Sequence, residues 1–116
     1  MSNPSKARGT AAETGLLRWF RSVDRDARRN PPAGSHDIGD LTVWDALGNE
    51  TVVEVKHYAG ERMSTALAKG VTELEAEKRN AGTERGVLVV RRPGKTDPGL
   101  WYAVRLVKDD PEIGAL

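Results

Sequence analysis

The run Thr51-Val52-Val53-Glu54-Val55-Lys56-His57 constrains this chain more than any other segment. Its valines are β-branched and favour a pleated surface, yet Glu54 and Lys56 interrupt it at a spacing of two. Side chains two apart on a strand share a face. A carboxylate and an ammonium therefore stand side by side, roughly 6–7 Å apart along the strand. Burying either charge alone is costly, so a partner is expected above that face. Asp40 opens the neighbouring strand-like run and supplies a second carboxylate. Two carboxylates, a backbone oxygen and water make a site of the kind Mg²⁺ accepts. An exposed ion pair on a sheet face is the simpler alternative for Glu54 and Lys56.

Around this run the periodicities place the other elements. Leu16, Leu17, Phe20, Val23 and Ala27 fall at helical spacing and predict a helix from about Lys6 to Arg29, with Arg18, Arg21, Arg25 and Arg29 on another, solvated face. Asn30-Pro31-Pro32-Ala33-Gly34 breaks it. Strands are expected over 38–46 and 51–57, joined by a hairpin at Leu47-Gly48-Asn49-Glu50. Ser64 reads as the N-cap of a second helix reaching Asn80, with Leu67, Val71 and Leu74 as its buried stripe and Gly82 as its stop. Glu73, Glu75, Glu77 and Lys69 lie off that stripe and read as solvated surface. Residues 86–92 read as a central strand, apolar on both faces, and 100–107 as a last strand. The expectation is one α/β domain over 1–116, a mixed sheet flanked by helices in the order α-β-β-α-β-β, allowing an extra short strand near 28–31. Residues 1–5 and 109–116 read as flexible tails.

Composition removes several function classes. There are no cysteines, which excludes disulfide frameworks, zinc fingers, iron–sulfur sites and thiol catalysis and favours a reducing, intracellular compartment. Two histidines are too few for a His-rich metal site. No run approaches the ~18 apolar residues of a membrane span, and MSNPSKARGT lacks the apolar stretch of a signal peptide. The net charge of +1 is uneven, with +4 on residues 1–36, −4 on 37–60 and +1 on 61–116. Basic surface attracts phosphates, and clustered carboxylates attract hard cations.

Glu13 lies three, four and seven residues before Leu16, Leu17 and Phe20. It therefore sits on or beside the inward face of the first helix, where a lone carboxylate is unusual. A favourable acid in the first turns of a helix is the alternative.

These residues resemble the PD-(D/E)xK nuclease superfamily, and within it the small Holliday-junction resolvases of archaea and phages. The resemblance covers about residues 6–107. It rests on Arg8-Gly-Thr-Ala-Ala-Glu13, on Ala33-Gly34-Ser35, on Asp40 at a strand start, and on Glu54-Val55-Lys56 fourteen residues later. It implies a restriction-endonuclease-like fold and a Mg²⁺-dependent endonuclease, with Mn²⁺ able to substitute. Glu13, Asp40, Glu54 and the carbonyl of Val55 would hold the metal, and Lys56 would assist catalysis. Partner and setting follow by the same resemblance: DNA, four-way junctions above all, a homodimer, no membrane, and the cytoplasm of a bacterial or archaeal cell, phage-encoded versions included. Gly39 stands where the family has proline, and Asp37 competes with Asp40; Asp40 is preferred because Leu41, Thr42 and Val43 follow it directly as a strand.

For DNA contact the candidates are Lys6, Arg8, Arg91 and Arg92, which flank element ends near the proposed site, and Ser35, which is equally a turn former. His57 points to the opposite sheet face and reads as structural, His36 as a loop residue. Trp19, Phe20, Trp44, Trp101 and Tyr102 read as core or subunit contacts. Strand parity adds one constraint. A two-residue turn at Gly48-Asn49 would set Asp40 opposite His57, on the wrong face. The hairpin loop must hold an odd number of residues, or a bulge must intervene. The rival functions are another nuclease of the superfamily (repair, restriction or exonuclease) and a DNA-binding module that does not cut.

Overall fold

The computed structural model describes residues 4–57 and 63–114, and for residues 4–8 the backbone alone. Among these, two helices cover the two faces of a mixed sheet: α1 (Pro4–Ser22), β1 (Asp26–Arg29), β2 (Leu41–Trp44), β3 (Glu50–Lys56), α2 (Met63–Ala81), β4 (Gly86–Val90) and β5 (Tyr102–Val104). The strands lie in chain order across the sheet. β3 and β4 are parallel, with α2 as their crossover, and the other neighbours are antiparallel. No helix among the described residues is long and apolar enough to cross a membrane.

Alternation along the strands sorts the core into two layers. Val53 of β3 and Val87 and Val89 of β4 pack with Leu16 of α1. Val52, Leu88 and Val90 pack with Leu74 of α2. Residues 86–90 are thus apolar on both faces, as expected of an inner strand. Gly70 lets α2 approach β4 closely: a Cβ there would stand 2.8 Å from Leu88 Cδ2. At the rear of α2, Lys78 is buried and paired with Glu75 at 3.1 Å and with Asp109 at 3.3 Å. Residues 109–114, read as a loose tail, are held at Asp109 by that pair and at Gly114 by its N–H bond to the Asp110 carbonyl.

The first helix is shorter than its periodicity implies. It stops at Ser22, and the chain reverses through Asp24, which adopts φ +61°. Aspartate is among the few residues that tolerate this left-handed conformation, so the turn carries no Gly or Pro signal. Ala27, read as the end of the helical stripe, is instead the buried residue of strand β1, which pairs with β2. The allowance for an extra strand near 28–31 thus corresponds to β1, two residues earlier. Of the expected arginine face, Arg18 and Arg21 lie on α1 and Arg29 on β1. Likewise, α2 begins at Met63, which makes Ser64 its second residue rather than its cap.

The β2–β3 hairpin obeys the parity argument. Trp44 pairs with Glu50 and Leu41 with Val53, leaving five loop residues, 45–49. Asp45 organises the loop, its Oδ1 accepting the N–H groups of Leu47 and Asn49 at 2.9 Å each. Extending the register one step sets Asp40 opposite Glu54, on the same face.

Candidate metal centre

The pairing of β2 with β3 stops at Leu41 and Val53, while β3 runs on to Lys56 against β4. The seam between β2 and β3 therefore opens at Asp40. Gly39 makes the divergence: its φ is +96°, which proline, held near −65°, cannot adopt. A Cβ there would meet Val52 Cγ1 at 2.7 Å and the Val53 carbonyl at 3.2 Å. Past the fork, the N–H of Val55 has no β2 carbonyl to meet. The Asp40 carboxylate takes it instead, Oδ2 accepting at 2.8 Å. Asn30 braces the turn, donating to Thr42 Oγ1 at 2.8 Å.

The fork lies in a cleft of about 750 Å³, lined by α1, the 30–40 connection, β3 and α2. Of the residues expected to form a site, Glu13, Asp40, Glu54, Val55, Lys56 and Ser35 all line it. Asp37 lines it too, but its Oδ1 accepts the Gly39 N–H at 3.3 Å and its carbonyl accepts from Asn80. Asp40, which touches both Val55 and Glu54, is the better placed of the two. Arg91 and Arg92 do not line the cleft. They lie over the rings of Trp101 and Tyr102, at 5.8 and 5.0 Å. The side chains of Lys6 and Arg8 lie outside the described residues.

Three contributors escaped the sequence reading. Glu73 and Glu77, read as solvated, both line the cleft, and Glu77 is buried. Glu73 Oε2 accepts from Lys56 Nζ at 2.7 Å. The missed signal is helical: Gly70, Leu74 and Glu77 follow one another at steps of four and three, on the face turned to the sheet. The third is Arg29, which donates to Thr14 Oγ1 and to the Thr10 carbonyl and so anchors β1 to α1 beside Glu13.

Crowded carboxyls resist ionisation. Burial, then hydrogen bonding and charge from Asp40 and Glu77, push Glu54 up to about 12. Burial, then the charge and hydrogen bond of Asp40, push Glu13 up to about 7, against the pull of Arg29. Glu77 is raised by burial and by the charges of Asp40, Asp37 and Glu73, with the hydrogen bond from Glu54 opposing. Lys56 is pulled down by burial, but its bond to Glu73 and the charges of Glu54, Glu73 and Asp40 outweigh this and raise it. It therefore stays cationic and is unsuited to act as a base.

The donor set fits a hard, oxygen-seeking cation: carboxylates line the cleft from α1, the 30–40 connection, β3 and α2, and one buried oxygen, Glu77 Oε2, has no hydrogen-bond partner among the described residues. A cation here would replace the protons that the carboxyls otherwise hold. Comparison of the chain with family models, with curated proteins and with solved structures gives no match.

Proposed function

We propose that this chain is a divalent-cation-dependent endodeoxyribonuclease of the PD-(D/E)xK type, with the restriction-endonuclease-like fold, acting on branched DNA as a Holliday-junction resolvase. One observation carries the reading: Asp40 and Glu54 meet at the β2–β3 fork, beside the Val55 peptide and Lys56. That is the constellation the sequence motif implies, and the five-residue hairpin loop sets its two carboxylates on one face.

In this reading Asp40, Glu54 and the Val55 carbonyl hold Mg²⁺, or Mn²⁺ in its place, with Glu13 beside them. When bound, the cation neutralises charge on the phosphoryl oxygens and lowers the pKa of a bound water. The chain's own groups do the rest. Asp40 fixes the Val55 peptide and so the spacing of the donors along β3. Lys56, cationic and tethered by Glu73, orients the attacking water and stabilises the charge that develops at the phosphate. Arg29 and Ser35, which line the cleft, would steer the DNA backbone in this reading.

A four-way junction has two-fold symmetry and needs two nicks, which a symmetric dimer with two sites supplies. The test is incubation with linear duplex, single-stranded and four-way-junction DNA, each with Mg²⁺ or EDTA, alongside light scattering. Paired nicks on junctions, Mg²⁺-dependent, by a dimer are expected. Equal cutting of linear duplex by a monomer would leave a general nuclease of the same type, and binding without cutting would leave a DNA-binding module.

A further inference from the structure

α2 turns two carboxyls toward β3 that the site proposed above does not use as metal donors. Glu73 and Glu77 are four apart and share a helix face. One carboxylate oxygen from each lies within 4.8 Å of the other's and of one from Glu54. Glu77 is 6% exposed. Its Oε2 is buried with no hydrogen-bond partner among the described residues, against Gly39, whose Cβ would stand 3.2 Å from it. A buried acceptor with no donor is costly, and the side chains gathered with Glu77, those of Glu54 and Glu73, are themselves carboxyls. Glu73 Oε2 accepts from Lys56 Nζ, leaving Oε1 for another partner.

Charge bears on the number of ions. Among the described residues the cleft wall carries six carboxyls, Glu13, Asp37, Asp40, Glu54, Glu73 and Glu77, and two cations, Arg29 and Lys56. Fully ionised, that wall stands at −4; one divalent cation leaves −2, and two bring it to neutrality. Spacing bears on the kind. Oxygens held 2.0–2.6 Å from one ion lie up to about 4–5 Å apart, and three carboxylates suit a larger ion better than Mg²⁺, which usually takes one or two.

We infer that Glu54, Glu73 and Glu77 form a second divalent-cation site, sharing Glu54 with the site at Asp40 and tying α2 to β3. Only the sharing rests on the proposed role of Asp40; the three carboxyls at α2 stand without it. Glu54 is suited to bridge, since it is within hydrogen-bonding reach of both Asp40 and Glu77.

Calorimetric titration of the full chain with Mn²⁺, without DNA, counts the ions. Two per chain are expected for the wild type. The double variant Glu73→Gln/Glu77→Gln should take one. Asp40→Asn should also take one, and Mn²⁺ should still raise its melting temperature. Glutamine keeps the shape and relieves repulsion, so the double variant should melt in EDTA no lower than wild type. A double variant that binds as many ions as wild type, with affinities within threefold, overturns the inference. So does a single wild-type ion lost in both variants. A single ion lost in Asp40→Asn and kept in the double variant also overturns it, while sparing the proposed role of Asp40. The converse, loss in the double variant and unchanged binding in Asp40→Asn, upholds it and removes Asp40 from the metal centre.

Discussion

Asp40 Oδ2 accepts the backbone N–H of Val55, fifteen residues on, at 2.8 Å. One side chain thereby closes the parted β2–β3 seam and sets the spacing between two candidate metal donors. The two roles can be separated. Asp40→Asn keeps an acceptor for Val55 and should hold its stability; Asp40→Ala leaves that N–H unpaired and should cost about 1–3 kcal/mol, read by urea denaturation. Both should lower junction cutting by about 100-fold or more. Junction binding should survive in both, or strengthen as repulsion of phosphate falls. Undiminished cutting by Asp40→Asn would remove it from the active site.

The acidic cluster makes stability fall with pH when no cation is present. A carboxyl whose folded pKa lies above its unfolded value of 4.5 holds a proton that the unfolded chain has released, so its stabilising contribution drains away as pH rises. For Glu13 the window runs from 4.5 to about 7, and for Glu54 from 4.5 to about 12. The melting temperature in EDTA should therefore drop from pH 5 to pH 8, and Glu54→Gln should flatten the drop. Added Mn²⁺ should reverse it, since the cation competes with those protons. A melting temperature that climbs over this range in EDTA would contradict the raised values.

Lys56→Ala should lose cutting by about 100-fold or more while retaining Mn²⁺ binding by calorimetry, because the ammonium ligates nothing. Its ion pair with Glu73 is about one-third exposed on each side and should contribute only ~1 kcal/mol or less to stability. A variant that unfolds, or that binds no Mn²⁺, would point to a structural role for Lys56.

Gly70→Ala tests the packing that positions α2. Alanine favours helix by about 1 kcal/mol, but its methyl would stand 2.8 Å from Leu88 Cδ2, and Leu88 is fully buried. Overpacking should win, with a net loss of about 1–2 kcal/mol. A gain in melting temperature would show that Leu88 can move aside.

Much of the fold is legible in residues 38–57 and 86–90, where β-branched runs and parity dictate strands, faces and an odd hairpin loop. Glu54, Lys56 and Glu13 could be singled out because each is a charge at or beside an apolar position, Asp40 because it opens the neighbouring strand, and the motif resemblance joined the four. Glu73 and Glu77 were not singled out, because they sit in a segment rich in other charges, and a carboxyl facing a metal-type cleft is indistinguishable in one dimension from one facing water. The end of α1 was hidden for a related reason. Asp24 makes the left-handed turn that a glycine would have announced, and Ala27 satisfies helical and strand spacing alike.

The β1 edge limits how two copies can meet. β1 reads Asp-Ala-Arg-Arg, with only Ala27 buried. In full antiparallel overlap about a two-fold axis, Asp26 of each copy would face Arg29 of the other and Ala27 would face Arg28, leaving Arg28 of each copy without a counter-charge opposite it. Charged edge strands of this kind discourage sheet extension. Three charges on four residues thus guard this edge against a further strand, with Arg28 lying over the Trp44 ring at 5.2 Å.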